Sequence, residues 1–283
     1  MSEDQSSENL PPVGLIAGQG RMPILEAQGM RAAGRKVACV GLAGQYDSAL
    51  PDYCDFFAPV GLIRIGQWCR RLRKFGADEA VMIGRVRKSR MYDPMAIFRQ
   101  MPDLRAAKLW YKVLRHDHRS QTLLAGVANE MEACGITMID STEYIPEHMA
   151  DPGCMTDKQP SLKQQADIEF AWPILMRMNE LEIGQAIAVK DREVIAVEAM
   201  EGTDRMISRA GAICKSGNWL LLKGPDAQKD MRFDVPTIGV KTIENIQKAG
   251  GVCVVVAAGK VILADKPEVI QTADRLGISI VGI

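Results

Sequence analysis

Between Val13 and Gly41 the chain reads strand, glycine turn, helix, strand, an order that leaves little room for anything but a parallel α/β sheet. Val13 to Ala17 is a buried-strand run, Gly18-Gln19-Gly20 a tight turn, and Pro23 suits the first turn of a helix reaching about Ala33. Gly34 closes that helix, and Lys36 to Gly41 reads as the second strand. Helical spacing of Ile65, Trp68, Leu72 and Phe75 predicts a helix over Arg64–Phe75, and Ala80–Ile83 a short strand. Segments 94–115 and 120–134 are helical in period, and Ile136–Ile139 returns to strand.

Asp151 to Pro160 is the clearest cluster of helix and strand breakers. It divides 283 residues into an N-terminal Rossmann-like α/β domain, 13–150, and a C-terminal α/β domain, 161–283, with 151–160 as linker and 1–12 as a disordered leader. In the second half, helices are expected near 161–180, 203–210, 240–249 and 266–276. Strands are expected at 185–190, 193–199, 218–223, 252–257, 260–264 and 278–282, giving a mixed sheet with hairpins.

The longest unbroken apolar run, Val252–Ala258, is far short of the ~20 residues that span a bilayer. The polar, acidic start has no signal-peptide pattern, so a cytoplasmic protein is expected. Seven cysteines without a C-x-x-C motif, most among apolar neighbours, read as reduced core thiols, and three scattered histidines give no zinc spacing. Net charge is zero, yet Arg64 to Arg119 holds fifteen Lys/Arg against five Asp/Glu. Such polarity suits an anionic ligand or surface, or simply solvated helix faces.

Two places could carry chemistry. Gly18-x-Gly20 lets a phosphate or sugar approach the backbone. A dinucleotide is disfavoured there, because Pro23 takes the third glycine position and no acid closes the second strand, which ends Val40-Gly41-Leu42. Further on, Glu198-x-x-Glu201-Gly202-Thr203-Asp204 closes a strand and opens a helix with Thr203 as a plausible N-cap. In Asp230-x-Arg232-x-Asp234, extended backbone puts all three side chains on one face. Two carboxylates flanking a guanidinium can hold Mg²⁺ while the arginine neutralises a phosphate, and Lys223 adds a further positive charge. A surface ion pair is the plainer reading of the same spacing.

Five ordered pieces then resemble one family: Gly14 to Pro23, Ile83-Gly84-Arg85-Val86, Gly184-Gln185-Ala186, Glu198 to Asp204, and Gln228 to Gly239. Together they resemble the UDP-2,3-diacylglucosamine pyrophosphatases of the lipid A pathway, in the form found in bacteria lacking the calcineurin-like enzyme. The resemblance runs from about Val13 to Ile283. It implies Mg²⁺-dependent hydrolysis (Mn²⁺ as a substitute) of UDP-2,3-diacylglucosamine to UMP and 2,3-diacylglucosamine 1-phosphate, with water attacking the sugar-side phosphorus. It also implies two α/β domains with the lipid held between them, in a homodimer. It marks Asp230, Arg232 and Asp234 as catalytic, with Asp230, Asp234, Glu201 and Asp204 toward the metal. Gly18, Gly20, Gly84, Arg85, Lys223, Gln228 and Thr203 fall toward the substrate. Where family members often carry an Asp pair, this chain has His116-Asp117-His118-Arg119, and no catalytic role is carried onto it.

A lipid substrate suits peripheral contact with the inner membrane, and no nucleic-acid partner is expected. The sixteen methionines suit the lining of an acyl-chain cavity and equally plain core filler. Two other functions compete: a nucleotide-sugar oxidoreductase using the glycine turn, and a non-catalytic protein binding a nucleotide or lipid.

Overall fold

The central strand of the first sheet is Val13–Ala17 (β1), buried along its whole length, which is why its sequence is apolar without alternation. A computed structural model describes residues 10–86, 101–116, 120–224, 232–233 and 235–283. The leader (but for Leu10 to Pro12), positions 94–100 of the helical segment, Asp117–Arg119, Gln228, Asp230 and Asp234 lie outside the described residues. The chain forms two compact units, one of Met1–Ile145 with Asp230–Asp234, the other of Pro146–Lys229 with Val235–Ile283.

In the first unit, α1 (Met22–Ala32) leads from β1 to β2 (Val37–Leu42), and β3 (Phe56–Val60) follows. Then come α2 (Ile65–Lys74), β4 (Glu79–Ile83), α3 (Leu104–Leu109) continuing as a turn of π-helix over Trp110–Leu114, α4 (Ser120–Glu132) and β5 (Thr137–Met138). The five strands are parallel in the order β3-β2-β1-β4-β5. The sequence reading has no β3. Pro59 obscures it, and proline is tolerated there because β3 is an edge strand. Ile16, Val40, Trp68, Leu72, Met131 and Ile136 form the core between this sheet and α2 and α4.

The expectation of reduced core thiols fails at two positions. Cys69 on α2 and Cys134, just past α4, are joined in a disulfide, their Cα atoms 6.1 Å apart. A separation of 65 residues gave the sequence no motif to read; packing of the two helices on one core brings the pair together. The other five cysteines are free, and burial pushes the Cys253 thiol up to about 12.

The second unit is built on a six-stranded sheet in the order β6-β13-β11-β9-β7-β8. Its strands are β6 (Gly153–Cys154), β7 (Ala186–Lys190), β8 (Glu193–Val197), β9 (Trp219–Lys223), β11 (Gly251–Val256) and β13 (Ser279–Gly282). A small parallel pair, β10 (Thr237–Ile238) and β12 (Ile262–Leu263), stands beside it. Helix α5 (Leu162–Glu180) starts at a capping box between Ser161 and Gln164; α6 (Thr203–Ile213), α7 (Val240–Lys248) and α8 (Lys266–Leu276) follow. Within the stretch read as linker, Gly153–Cys154 pairs antiparallel with β13 as an edge strand.

Two-residue periodicity sorts this sheet's side chains between two cores. Leu220, Leu222, Cys253 and Val255 meet α5 through Ile168 and Leu175. Trp219, Leu221, Val254 and Val256 face the opposite way, toward Met206, Ile243, Ile246 and Ala273. Each fully buried leucine contributes about 1.5–3 kcal/mol. The β7–β8 hairpin turns at Asp191-Arg192, both left-handed, and the buried Asp167 carboxylate accepts both their N–H groups at 3.1 and 2.6 Å. Among the described residues no helix is long and apolar enough to cross a membrane.

The disulfide closes a long loop, so it should stabilise the chain by about 2–4 kcal/mol. Denaturant unfolding with and without reductant measures this. Reductant should lower the midpoint of the parent and leave that of Cys134→Ser unmoved.

Candidate functional site

Strand order reverses direction between β1 and β4: the chain runs outward to β2 and β3, then returns to the other side of β1. Crevices beyond the carboxyl ends of such strands are where open α/β sheets take ligands. Gly18, Gly20, Gly84 and Arg85 all lie there, immediately after Ala17 and Ile83, which pair in register. Gln19 and Arg85 exchange two backbone hydrogen bonds of 2.8 Å, and Gly18 N–H donates to Ile83 O at 2.9 Å. The two turns are therefore zipped together.

That zipper gives two of the glycines a structural reason. A Cβ on Gly84 would stand 2.8 Å from the Gly18 carbonyl carbon, and one on Gly18 would stand 2.9 Å from Arg85 O. Gly20 differs: its φ of +104° favours glycine, and nothing stands within 4 Å of where a Cβ would be. Helix α1 begins two residues later without a side-chain cap and without an acid in its first turn. Its N-terminal N–H groups keep their positive potential at the switch point. Glu26, on this helix, is fully buried; its flanks Leu25 and Ala27 disguise it in the sequence, and no role was read there.

In the second unit the structure joins Thr203 and Lys223 and adds Glu198. Alternation along β9 puts Lys223 on the same face as Trp219 and Leu221, where α6 packs. Its ammonium donates to Thr203 Oγ1 at 3.0 Å and to the Thr237 carbonyl at 3.3 Å. Thr203 Oγ1 in turn donates to Glu198 Oε1 at 2.9 Å. Lys223 is 7% exposed, and Glu198 Oε2 is buried without a hydrogen-bond partner among the described residues. Thr203 is not the N-cap. Gly202, at φ +83°, takes that place, so the threonine hydroxyl is free to bridge acid and base.

Glu201 and Asp204 stand apart from this chain of contacts. Glu201 Oε1 accepts from Arg209 at 2.5 Å, and Oε2 from the Ala199 N–H at 3.2 Å. Its own backbone N–H, then Arg209, hold the carboxyl below the usual range. Asp204 Oδ1 accepts from Asn245 at 3.0 Å. Among the described residues no three His, Cys, Asp or Glu side chains gather as a metal site.

Arg232 and Phe233 form a turn, so the extended backbone read from the sequence is absent at these two residues. Both belong to the first compact unit. Arg232 pairs with Glu132 at 3.0 Å and lies 5.0 Å over the Phe233 ring, and Phe233 packs on the first core. Glu132 ends α4, just ahead of β5, and so marks the amino edge of the parallel sheet. The glycine turns mark the carboxyl edge. Arg85 itself is held through its backbone.

Removing the Thr203 hydroxyl should expose the coupling in the second unit. Thr203→Val leaves a buried ammonium and a carboxylate each short of one partner, and should cost about 1–3 kcal/mol of stability. In the double variant with Lys223→Met, the losses should fall short of the sum of the single losses. Additive unfolding free energies across the cycle would dissolve the network.

Comparison with known proteins finds family models for both halves of the chain. The LpxI N-terminal domain model matches residues 12–148, and the LpxI C-terminal domain model matches residues 151–281. Over 279 residues the chain is 32% identical to the UDP-2,3-diacylglucosamine pyrophosphatase LpxI of Caulobacter vibrioides, covering 96% of this chain and 97% of that protein. Among solved structures, a biotin carboxylase–β-γ-ATP complex from Campylobacter jejuni aligns over 73% of this chain and 43% of its own. At 13% identity and a TM-score of 0.25 it carries no argument. With both domain models matched in order over almost every residue, the chain belongs to the LpxI family.

Proposed function

We infer that the chain is a hydrolase that splits the pyrophosphate bond of UDP-2,3-diacylglucosamine, releasing UMP and 2,3-diacylglucosamine 1-phosphate for lipid A synthesis. The observation that carries this reading is the 32% identity to the Caulobacter enzyme, sustained over 96% of the chain. The geometry supports it in two places. At the β1/β4 switch point an open Gly20 and an uncapped helix N-terminus suit a phosphate group. In the second unit Lys223 is a buried ammonium held in one position by Thr203 and Glu198, as a group that neutralises phosphoryl charge must be. The absence of an acid closing β2 removes support for a nicotinamide cofactor.

Divalent metal is part of the proposal. Glu201 accepts from Arg209 and Asp204 from Asn245. The proposal of Mg²⁺ rests on Asp230 and Asp234, whose oxygen chemistry fits a hard cation. When bound, the ion would stabilise the charge developing on the pyrophosphate. Water is proposed to attack the phosphorus on the sugar side, and the chain is proposed to work as a homodimer.

Mass spectrometry of products from purified chain and UDP-2,3-diacylglucosamine tests the reaction. In ¹⁸O-labelled water the label should enter 2,3-diacylglucosamine 1-phosphate; label in UMP would place the attack on the uridine side. Turnover should stop in EDTA and return with Mg²⁺ or Mn²⁺, and full activity in chelator would refute the metal. Asp230→Ala should lower kcat by ~10²–10⁴ with KM little changed, the signature of a group acting mainly in the transition state. Near-parental kcat in that variant would take Asp230 out of the mechanism.

A further inference from the structure

Helix α3 and its π turn hold their apolar residues on two faces. Ala106, Leu109 and Val113 pack inward on the first core, as expected of a surface helix. The outward side should then be polar, but Leu104 is 90% exposed, Met101 68%, Tyr111 61% and Trp110 58%. Thirteen large apolar side chains are exposed among the described residues, and four of them fall in these eleven positions; single exposures are ordinary, a group of this kind is not.

The cations on this face are as uneven as the apolar groups. Lys108, Lys112 and Arg115 are exposed beside the aromatic residues, and the Arg115 guanidinium lies 4.2 Å over the Tyr111 ring. Asp103 is the acid between Met101 and His116, and it is used within the fold: one oxygen caps α3 at Ala106 N, the other accepts from Gln67 N. Arg105 turns to Glu130 at 3.0 Å, and Arg115 Nε donates to the neighbouring His116 Nε2 at 2.7 Å, a partner that leaves its charge uncompensated. Leucine, tryptophan and tyrosine beside outward lysine and arginine, with no free acid among the described residues of this segment, match a layer that is apolar below and anionic above.

We propose that the outward face of Met101–Arg115 docks the chain on an anionic lipid bilayer, with Leu104, Trp110 and Tyr111 entering the headgroup boundary and Lys108, Lys112 and Arg115 lying against lipid phosphates. Charge decides against a second copy of the chain as occupant. A two-fold contact through this face would bring three cations of each copy against the same three of the other. The proposal rests on the hydrolase reading only for the use the membrane serves; the surface itself stands without it.

The test keeps the two apart. Sedimentation of the full chain with vesicles, without substrate, should show binding to phosphatidylcholine containing phosphatidylglycerol, weakened by salt, and little to phosphatidylcholine alone. W110A/Y111A and K108E/K112E should each lower that affinity by on the order of tenfold or more. All four side chains are outward, so unfolding midpoints and hydrolysis of substrate in detergent micelles should match the parent. Parental vesicle binding by both variants, or binding indifferent to phosphatidylglycerol, overturns the proposal. So does a parent that ignores vesicles while forming dimers that the variants lose. Vesicle binding without release of UMP from micellar substrate would leave the surface standing and sink the hydrolase reading instead.

Discussion

Two backbones that touch hold the first unit's ligand edge in shape. Gly18 and Gly84 approach so closely that neither has room for a Cβ, and Gln19 and Arg85 exchange hydrogen bonds just beyond. Parallel strands normally part after their last paired residue, and the crevice so formed takes the ligand. Here pairing continues for one step past Ala17 and Ile83. The start of α1 and the open side of Gly20 are fixed relative to β4 by that step. A phosphate site made from helix N–H groups needs such fixity, because it has no side chain to adjust.

The second unit solves a different problem, that of keeping a charge out of water at a strand end. Burying an ammonium is unfavourable unless its donors are used. Lys223 meets this through the Thr203 hydroxyl, which passes the interaction on to Glu198, and through the Thr237 carbonyl ahead of α7. The lysine is thereby tied to three places, the residue just after β8, α6 and β10, and its position reports on all of them. A charge held this firmly costs little reorganisation when an anion arrives.

Much of this fold was legible from periodicity: apolar runs marked the buried strands, and glycine and proline marked the ends of helices. The edge strands were harder. β3 carries Pro59 and β6 lies inside a breaker cluster, so local propensity spoke against both, and pairing with β2 and β13 prevailed. The site was legible as residue types and less so as partners. Glu198, Thr203 and Lys223 were each visible, but their bridge depends on Gly202 taking the cap, a single positive φ that displaces the threonine by one position. Arg232 was read as part of an extended run, and instead turns back to Glu132, a hundred residues earlier. The Cys69–Cys134 pair likewise exists only once two helices have packed.

The zero net charge of the chain hides the feature that most distinguishes its first unit. Fifteen cations against five acids between Arg64 and Arg119 would be unremarkable as scattered solvation, since exposed lysine and arginine are common. Exposure changes the reading. On α2, Arg70, Arg71, Arg73 and Lys74 are exposed while Ile65, Trp68 and Leu72 go inward, an ordinary amphipathic division. On α3 and its π turn the same inward division holds, yet the outward side carries leucine and aromatic rings among the cations. Water alone gives no reason for those rings to face it. Near an anionic bilayer the cations would gain from phosphates and the rings from leaving water, and both gains act on one face of one short element.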